Sequence, residues 1–138
     1  DDGRVLLERQ FRYPVGRVMT EFPAGKLDAG ELPLICAQRE LLEETGYSAR
    51  EWAYAGPMHL AIGYSDEVIH IFFARGLTAG ERQLDADEFL DVCSMTAAEL
   101  LDGVVLAAML PVRPAFAIDT GQFEKFSKNP LVRFLFTA

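Results

Sequence analysis

Three glutamates carry the strongest chemical signal in this chain. Glu40, Glu43 and Glu44 lie in residues 25–47, GKLDAGELPLICAQRELLEETGY, with Glu31 and Arg39 nearby and Gly25 and Gly46 at the flanks. Residues 32–45 are mostly good helix formers, with Pro33 suited to a first turn and Gly46 to a C-terminal cap. At about one hundred degrees per residue and with Glu40 at zero, Glu43 and Glu44 fall at about −60° and +40°, on one face. Leu34, Leu41, Gln38, Thr45, Leu42 and Ile35 fall between roughly 100° and 220°, on the other. The expected helix has an apolar back for a core and a front crowded with carboxylates.

Carboxylates at such spacings repel one another, costing roughly 0.2–0.5 kcal/mol per pair. Those near the helix end also meet the negative pole of its dipole. A bound cation reverses the sign of both effects. Oxygen donors with no histidine or thiolate among them suit Mg²⁺, Mn²⁺ or Ca²⁺ rather than zinc. The competing reading is a solvated acidic helix face.

The elements around this stretch are short. Residues 5–11 read as a strand with Glu8 and Arg9 on a partly wet face. Residues 18–22 form a second strand, and the Pro/Gly/Asp-rich residues 23–31 a loop in which Gly25 permits close backbone approach. Glu31 precedes the helix on the side where negative charge is favoured, and is expected to brace the loop. Arg39 is expected to pair with a loop carboxylate, away from a metal it would oppose. Strands follow at 51–57 and 68–77, the second with Ile69, Ile71 and Phe73 alternating with His70 and Phe72. Residues 78–87 form a polar connection that delivers Glu88 to an apolar strand at 89–95. Thr96 and Glu99 have capping-box spacing, so a helix is predicted to start there.

At 138 residues, half of them apolar, the chain suits one domain with a sizeable core. The net charge of −8 argues against affinity for nucleic-acid backbones or anionic membranes. A divalent cation can still invert the local field for a phosphate ester. Cys36 and Cys93 lack a CxxC spacing, so they read as packed thiols in a reducing cytoplasm. His59, His70 and Trp52 are isolated and read as packing or surface residues. No signal peptide or membrane-length apolar run stands out.

The seven identities Gly25, Glu31, Arg39, Glu40, Glu43, Glu44 and Gly46 stand at the spacing of the complete Nudix box, and the stretch resembles that of Nudix hydrolases. A chance match is on the order of 10⁻⁹ to 10⁻⁸ per start position at average residue usage. The resemblance runs from about Asp2 to Leu101. Gln10-Phe11-Arg12-Tyr13-Pro14, Glu21-Phe22-Pro23-Ala24-Gly25, Gly63-Tyr64-Ser65-Asp66-Glu67 and Asp87-Glu88-Phe89 are similar to the ADP-ribose pyrophosphatase branch. Where that branch has a proline before the glycine of the third motif, this chain has Ile62.

The resemblance implies an α/β fold, a Nudix-like α/β/α sandwich with a mixed β-sheet and the box helix on one face. It implies a Nudix hydrolase domain over 1–110, and leaves 111–138 as a C-terminal segment of unknown role that packs on the core, binds a partner or is disordered. Mg²⁺, with Mn²⁺ as a second option, would be held by Glu40, Glu43, Glu44 and the Ala24 carbonyl. Arg12 and Glu21 would contact the substrate, a surface salt bridge being the other reading for Arg12. Glu88 would be the general base, a residue orienting the attacking water, or a further metal ligand. Glu43 and Glu44 belong to the catalytic set. The implied substrate is a nucleoside diphosphate sugar, ADP-ribose first, giving AMP and ribose 5-phosphate, and a homodimer is an assembly the branch allows. Branch members carry an N-terminal segment that helps dimerise and hold the adenine. Here Asp1-Asp2-Gly3 reads as a hairpin turn, so the start is expected to be truncated. The alternatives are a Nudix-fold module that senses a nucleotide without turnover, a pyrophosphatase for another nucleotide sugar, and an acidic interaction protein.

Overall fold

The computed structural model describes residues 3–84, 89–96, 98–99 and 133–137. β1 (Arg4–Arg12) leads through a 3-10 turn at Tyr13–Val15 into β2 (Arg17–Glu21), and the two pair antiparallel. Pro14 in the turn and Gly16 at φ 64 reverse the chain between them. A two-residue strand, β3 (Ala24–Gly25), interrupts the expected loop before α1 (Pro33–Thr45). Pro33 starts that helix where its missing N–H costs nothing, and Gly46 ends it in the left-handed conformation. β4 (Tyr47–His59) and β5 (Val68–Ala79) form a long hairpin, followed by β6 (Leu90–Thr96) and β7 (Arg133–Thr137).

These strands make two sheets rather than one. The first, β2-β1-β6, is wholly antiparallel. The second has the order β3-β7-β5-β4 and is mixed, because β3 and β7 run parallel. Within the tail, residues 133–137 thus supply a strand between β3 and β5. Of the helix predicted to start at Thr96, only residues 98–99 are among the described residues. Its predicted start is seen: Glu99 N–H donates to Thr96 Oγ1 at 3.2 Å, and Thr96 N–H donates to Glu99 Oε2 at 2.7 Å.

α1 joins the sheets. Ala37 and Leu41 pack with Leu6 of β1 and with Phe72 and Ala74 of β5, flanked by Trp52 and Val92. On the other face of β5, Ile71 and Phe73 meet Ala55, Phe22 and Met58. Residues 71–74 are therefore buried on both faces, and the expected alternation along this strand fails there.

Two expectations about burial are corrected. Leu34, Ile35 and Leu42 are exposed, whereas Cys36, Ala37, Glu40, Leu41, Glu44 and Thr45 are buried. The inward face is thus rotated about 110° from the apolar arc, toward the carboxylates. Glu8, expected on a wet strand face, is 1% exposed. Among the described residues no helix is long and apolar enough to cross a membrane.

Candidate active site

The rotation of α1 has a local cause in the backbone at Ala24–Gly25. Ala24 N–H donates to Glu44 Oε2 at 3.0 Å in a partly buried bond, which satisfies both the amide and one carboxylate oxygen. The Cys36 thiol donates to the Lys26 carbonyl at 3.3 Å. Burial pushes that thiol up to about 12, so it stays protonated and inert. At Gly25 a Cβ would lie 1.8 Å from the carboxyl carbon of Glu40. The glycine is needed because Glu40 occupies the space its side chain would take.

Arg39 organises the other side of the site. Its Nε and Nη2 donate to Glu31 Oε1 and Oε2 at 3.0 and 2.8 Å, and Nη2 also reaches the Lys26 carbonyl at 3.1 Å. This is the expected bond to a loop carboxylate. The Arg39 hydrogen bonds, with a further one from Asp28 N–H at 3.0 Å, hold Glu31 down at about 2. Glu31 thereby braces the loop 26–31. The same guanidinium does more than expected: Nη1 donates to Glu40 Oε1 at 2.8 Å and to Glu43 Oε2 at 3.0 Å. Hydrogen bonds to Glu31 first, then to Glu43 and Glu40, raise the Arg39 pKa. A five-donor fork can serve three carboxylates at once, and it supplies the countercharge that their crowding demands.

Arg12 and Glu21 meet across β1 and β2 in a two-pronged pair, Nε to Oε1 at 2.9 Å and Nη2 to Oε2 at 2.6 Å. The Glu21 hydrogen bond raises the Arg12 pKa, and the charges of Glu8 and Glu44 add to it. Glu8 stands opposite Glu21 in the strand register, a buried acid that alternation along β1 does not reveal. The structure therefore sets Glu40 and Glu44 against the Ala24–Gly25 backbone, joins Glu40 and Glu43 through Arg39, and pairs Arg12 with Glu21. Glu88 lies outside the described residues. In the loop 60–67, Ala61 adopts φ 45, and Ile62 and Tyr64 stand exposed.

Among the described residues, no three side chains of metal-binding type close around a single point. Glu40 and Glu43 are turned onto Arg39 instead. The donor set still fits a hard divalent cation: carboxylates set against the Ala24–Gly25 backbone, where Gly25 leaves the room that Glu40 takes. Binding an ion here would exchange Arg39 N–H donors for the cation at Glu40 and Glu43.

An α/β domain that lays an acidic helix across a glycine-relieved strand end has the architecture of a Nudix-type hydrolase. The NUDIX domain family model matches residues 1–116, and the chain belongs to that family, whose hydrolases use divalent metal cations. It is 38% identical over 127 residues to an ADP-ribose pyrophosphatase of Bacillus subtilis (strain 168), covering 91% of this chain and 69% of the relative. It is 32% identical over 131 residues to a methanol dehydrogenase activator of Bacillus methanolicus, covering 94% of this chain and 71% of that protein. The crystal structure of an ADP compounds hydrolase shares the fold, with a TM-score of 0.62 at 18% identity, over 93% of this chain and 68% of that one.

Proposed function

We propose that this Nudix hydrolase cleaves the diphosphate bond of ADP-ribose, or of a related nucleoside diphosphate sugar, with Mg²⁺ as its cation. The observation that carries the reading is the placement of Glu40 and Glu44 against the Ala24–Gly25 backbone, with Glu43 on the same helix. The likeness to the Bacillus subtilis ADP-ribose pyrophosphatase supports the choice of substrate.

Glu40, Glu43, Glu44 and the Ala24 carbonyl hold the cation, which when bound supplies charge neutralisation and Lewis acidity. Arg12, kept cationic and oriented by Glu21, faces the diphosphate. Glu88 takes or steers the proton of the attacking water. Water adds across the P–O–P linkage, the bridging oxygen leaves with one phosphate, and AMP and ribose 5-phosphate result. The reading includes a cytoplasmic setting, in which the free Cys36 and Cys93 remain thiols, and assembly as a homodimer without nucleic-acid partners.

The test is AMP release from ADP-ribose with Mg²⁺, beside an EDTA control and Glu44→Gln. That substitution keeps an acceptor for Ala24 N–H and removes the charge, so the protein should fold and lose at least about a hundredfold in rate. Wild-type turnover by Glu44→Gln refutes the assignment. Binding of intact ADP-ribose without turnover by the wild type would make the protein a nucleotide sensor instead.

A further inference from the structure

Arg39 grips the carboxylate site with two arms of unequal footing. Nε and Nη2 are held from the loop side, where both oxygens of Glu31 and the Lys26 carbonyl accept from them. Glu31 is itself fixed by Asp28 N–H at 3.0 Å. Nη1 is the other arm. It reaches the helix face, donating to Glu40 Oε1 at 2.8 Å and to Glu43 Oε2 at 3.0 Å. One nitrogen thus stands between two carboxylates a helical turn apart on α1, and its charge offsets their repulsion.

The guanidinium is planar and rigid, so Nη1 can withdraw by a tilt about the Nε–Nη2 edge that Glu31 holds. Such a tilt lengthens the bonds to Glu40 and Glu43 together and leaves the loop brace in place. The Arg39 side chain keeps 28% exposure, so a withdrawn Nη1 meets water rather than a dry interior. A hard divalent cation takes the same carboxylates as ligands, and a guanidinium charge among them opposes it.

We propose that Arg39 is the resident countercharge of the ion-free site. It holds Glu40 and Glu43 together before a cation arrives and yields Nη1 as the cation binds. Cation affinity is thereby set weaker than the carboxylates alone would give. This rests on the reading of Glu40 and Glu43 as ligands. An Arg39 that only braced the loop would, once removed, leave cation affinity unchanged or weaken it.

The experiment compares Glu31→Gln with the Glu31→Gln/Arg39→Gln double variant. Glu31→Gln removes the anchoring carboxylate from both proteins, which leaves the arm on the helix as the main difference between them. Mn²⁺ affinity is read by calorimetry, and the melting temperature is taken in EDTA. We expect Mn²⁺ to bind about tenfold tighter to the double variant, whose melting temperature in EDTA falls below that of Glu31→Gln. Equal or weaker Mn²⁺ binding by the double variant would overturn the proposal. Glu40→Gln and Glu43→Gln test the ligand reading by itself, and each should weaken Mn²⁺ binding. If neither does, that reading fails and the inference falls with it. If both do while the double variant binds no tighter than Glu31→Gln, only the inference falls. Should the double variant not fold, the wild type decides by nitrogen-15 NMR of its arginine side chains. Saturating Mg²⁺ should shift the Arg39 Nη1 resonance and leave Nε–H as it is in EDTA. An Nη1 resonance unmoved by Mg²⁺ would equally overturn the proposal.

Discussion

Replacing Gly25 by alanine separates folding from catalysis at this site. Gly25 does not adopt a positive φ, so alanine fits its backbone conformation without strain. The added methyl would stand 1.8 Å from the Glu40 carboxyl carbon and 1.9 and 2.2 Å from its oxygens. Contacts under 3.0 Å are essentially never made by real Cβ atoms, so the carboxylate must retreat by more than 1 Å. It can do so, because the far end of a glutamate turns about its own side-chain bonds. The fold should therefore survive, with the gain of about 0.4–1 kcal/mol from a stiffer unfolded chain offsetting part of the cost. Catalysis should not survive intact. A misplacement of about 1 Å costs about a hundredfold in rate, or about 2.7 kcal/mol of barrier. The assay is AMP release from ADP-ribose with Mg²⁺, with Mn²⁺ affinity by calorimetry and the melting temperature as controls. Turnover and metal affinity equal to wild type in a folded Gly25→Ala protein would show that Glu40 is no ligand at this position.

Two further outcomes follow from the same geometry. Glu31 is held at about 2, below its ordinary 4.5, by Arg39 and the Asp28 N–H, so its contribution is complete above pH 4.5 and lost as pH falls toward 2. In metal-free buffer, Glu31→Gln should lower the melting temperature at neutral pH, and the gap to wild type should close near pH 2. An unchanging gap would mean that the Glu31–Arg39 bond does not brace the loop. Cys36, pushed up to about 12 by burial, should resist iodoacetamide at mildly alkaline pH until the protein is unfolded, as read by peptide mass mapping. Labelling of native Cys36 would contradict its packing against Lys26.

Much of this site was legible in the sequence because its members are close along the chain. The spacing of Glu40, Glu43 and Glu44 on a helix needs only the 3.6-residue period, and Pro33 and Gly46 mark that helix's ends by their own backbone chemistry. Hard oxygen donors without histidine or thiolate pointed to a divalent cation. The Glu31–Arg39 bond follows from one loop carboxylate and one nearby cation.

Only tertiary structure decided which way that helix turns. Leu34, Ile35 and Leu42 compose the apolar arc by pattern, yet the inward face holds Glu40 and Glu44. An amide on Ala24 and an empty side-chain position at Gly25 receive them there. Glu8 buried opposite Glu21 and Arg82 joining Glu44 to Leu90 depend on partners from separate elements. Residues 133–137 fit between β3 and β5 only once those strands exist. The sequence by itself determined residue type and local period, hence the helix, its caps and the kind of ion it suits. The fold determined burial and partnership, because the energy of a charge depends on which donors lie within about 3 Å of it and how much water is excluded.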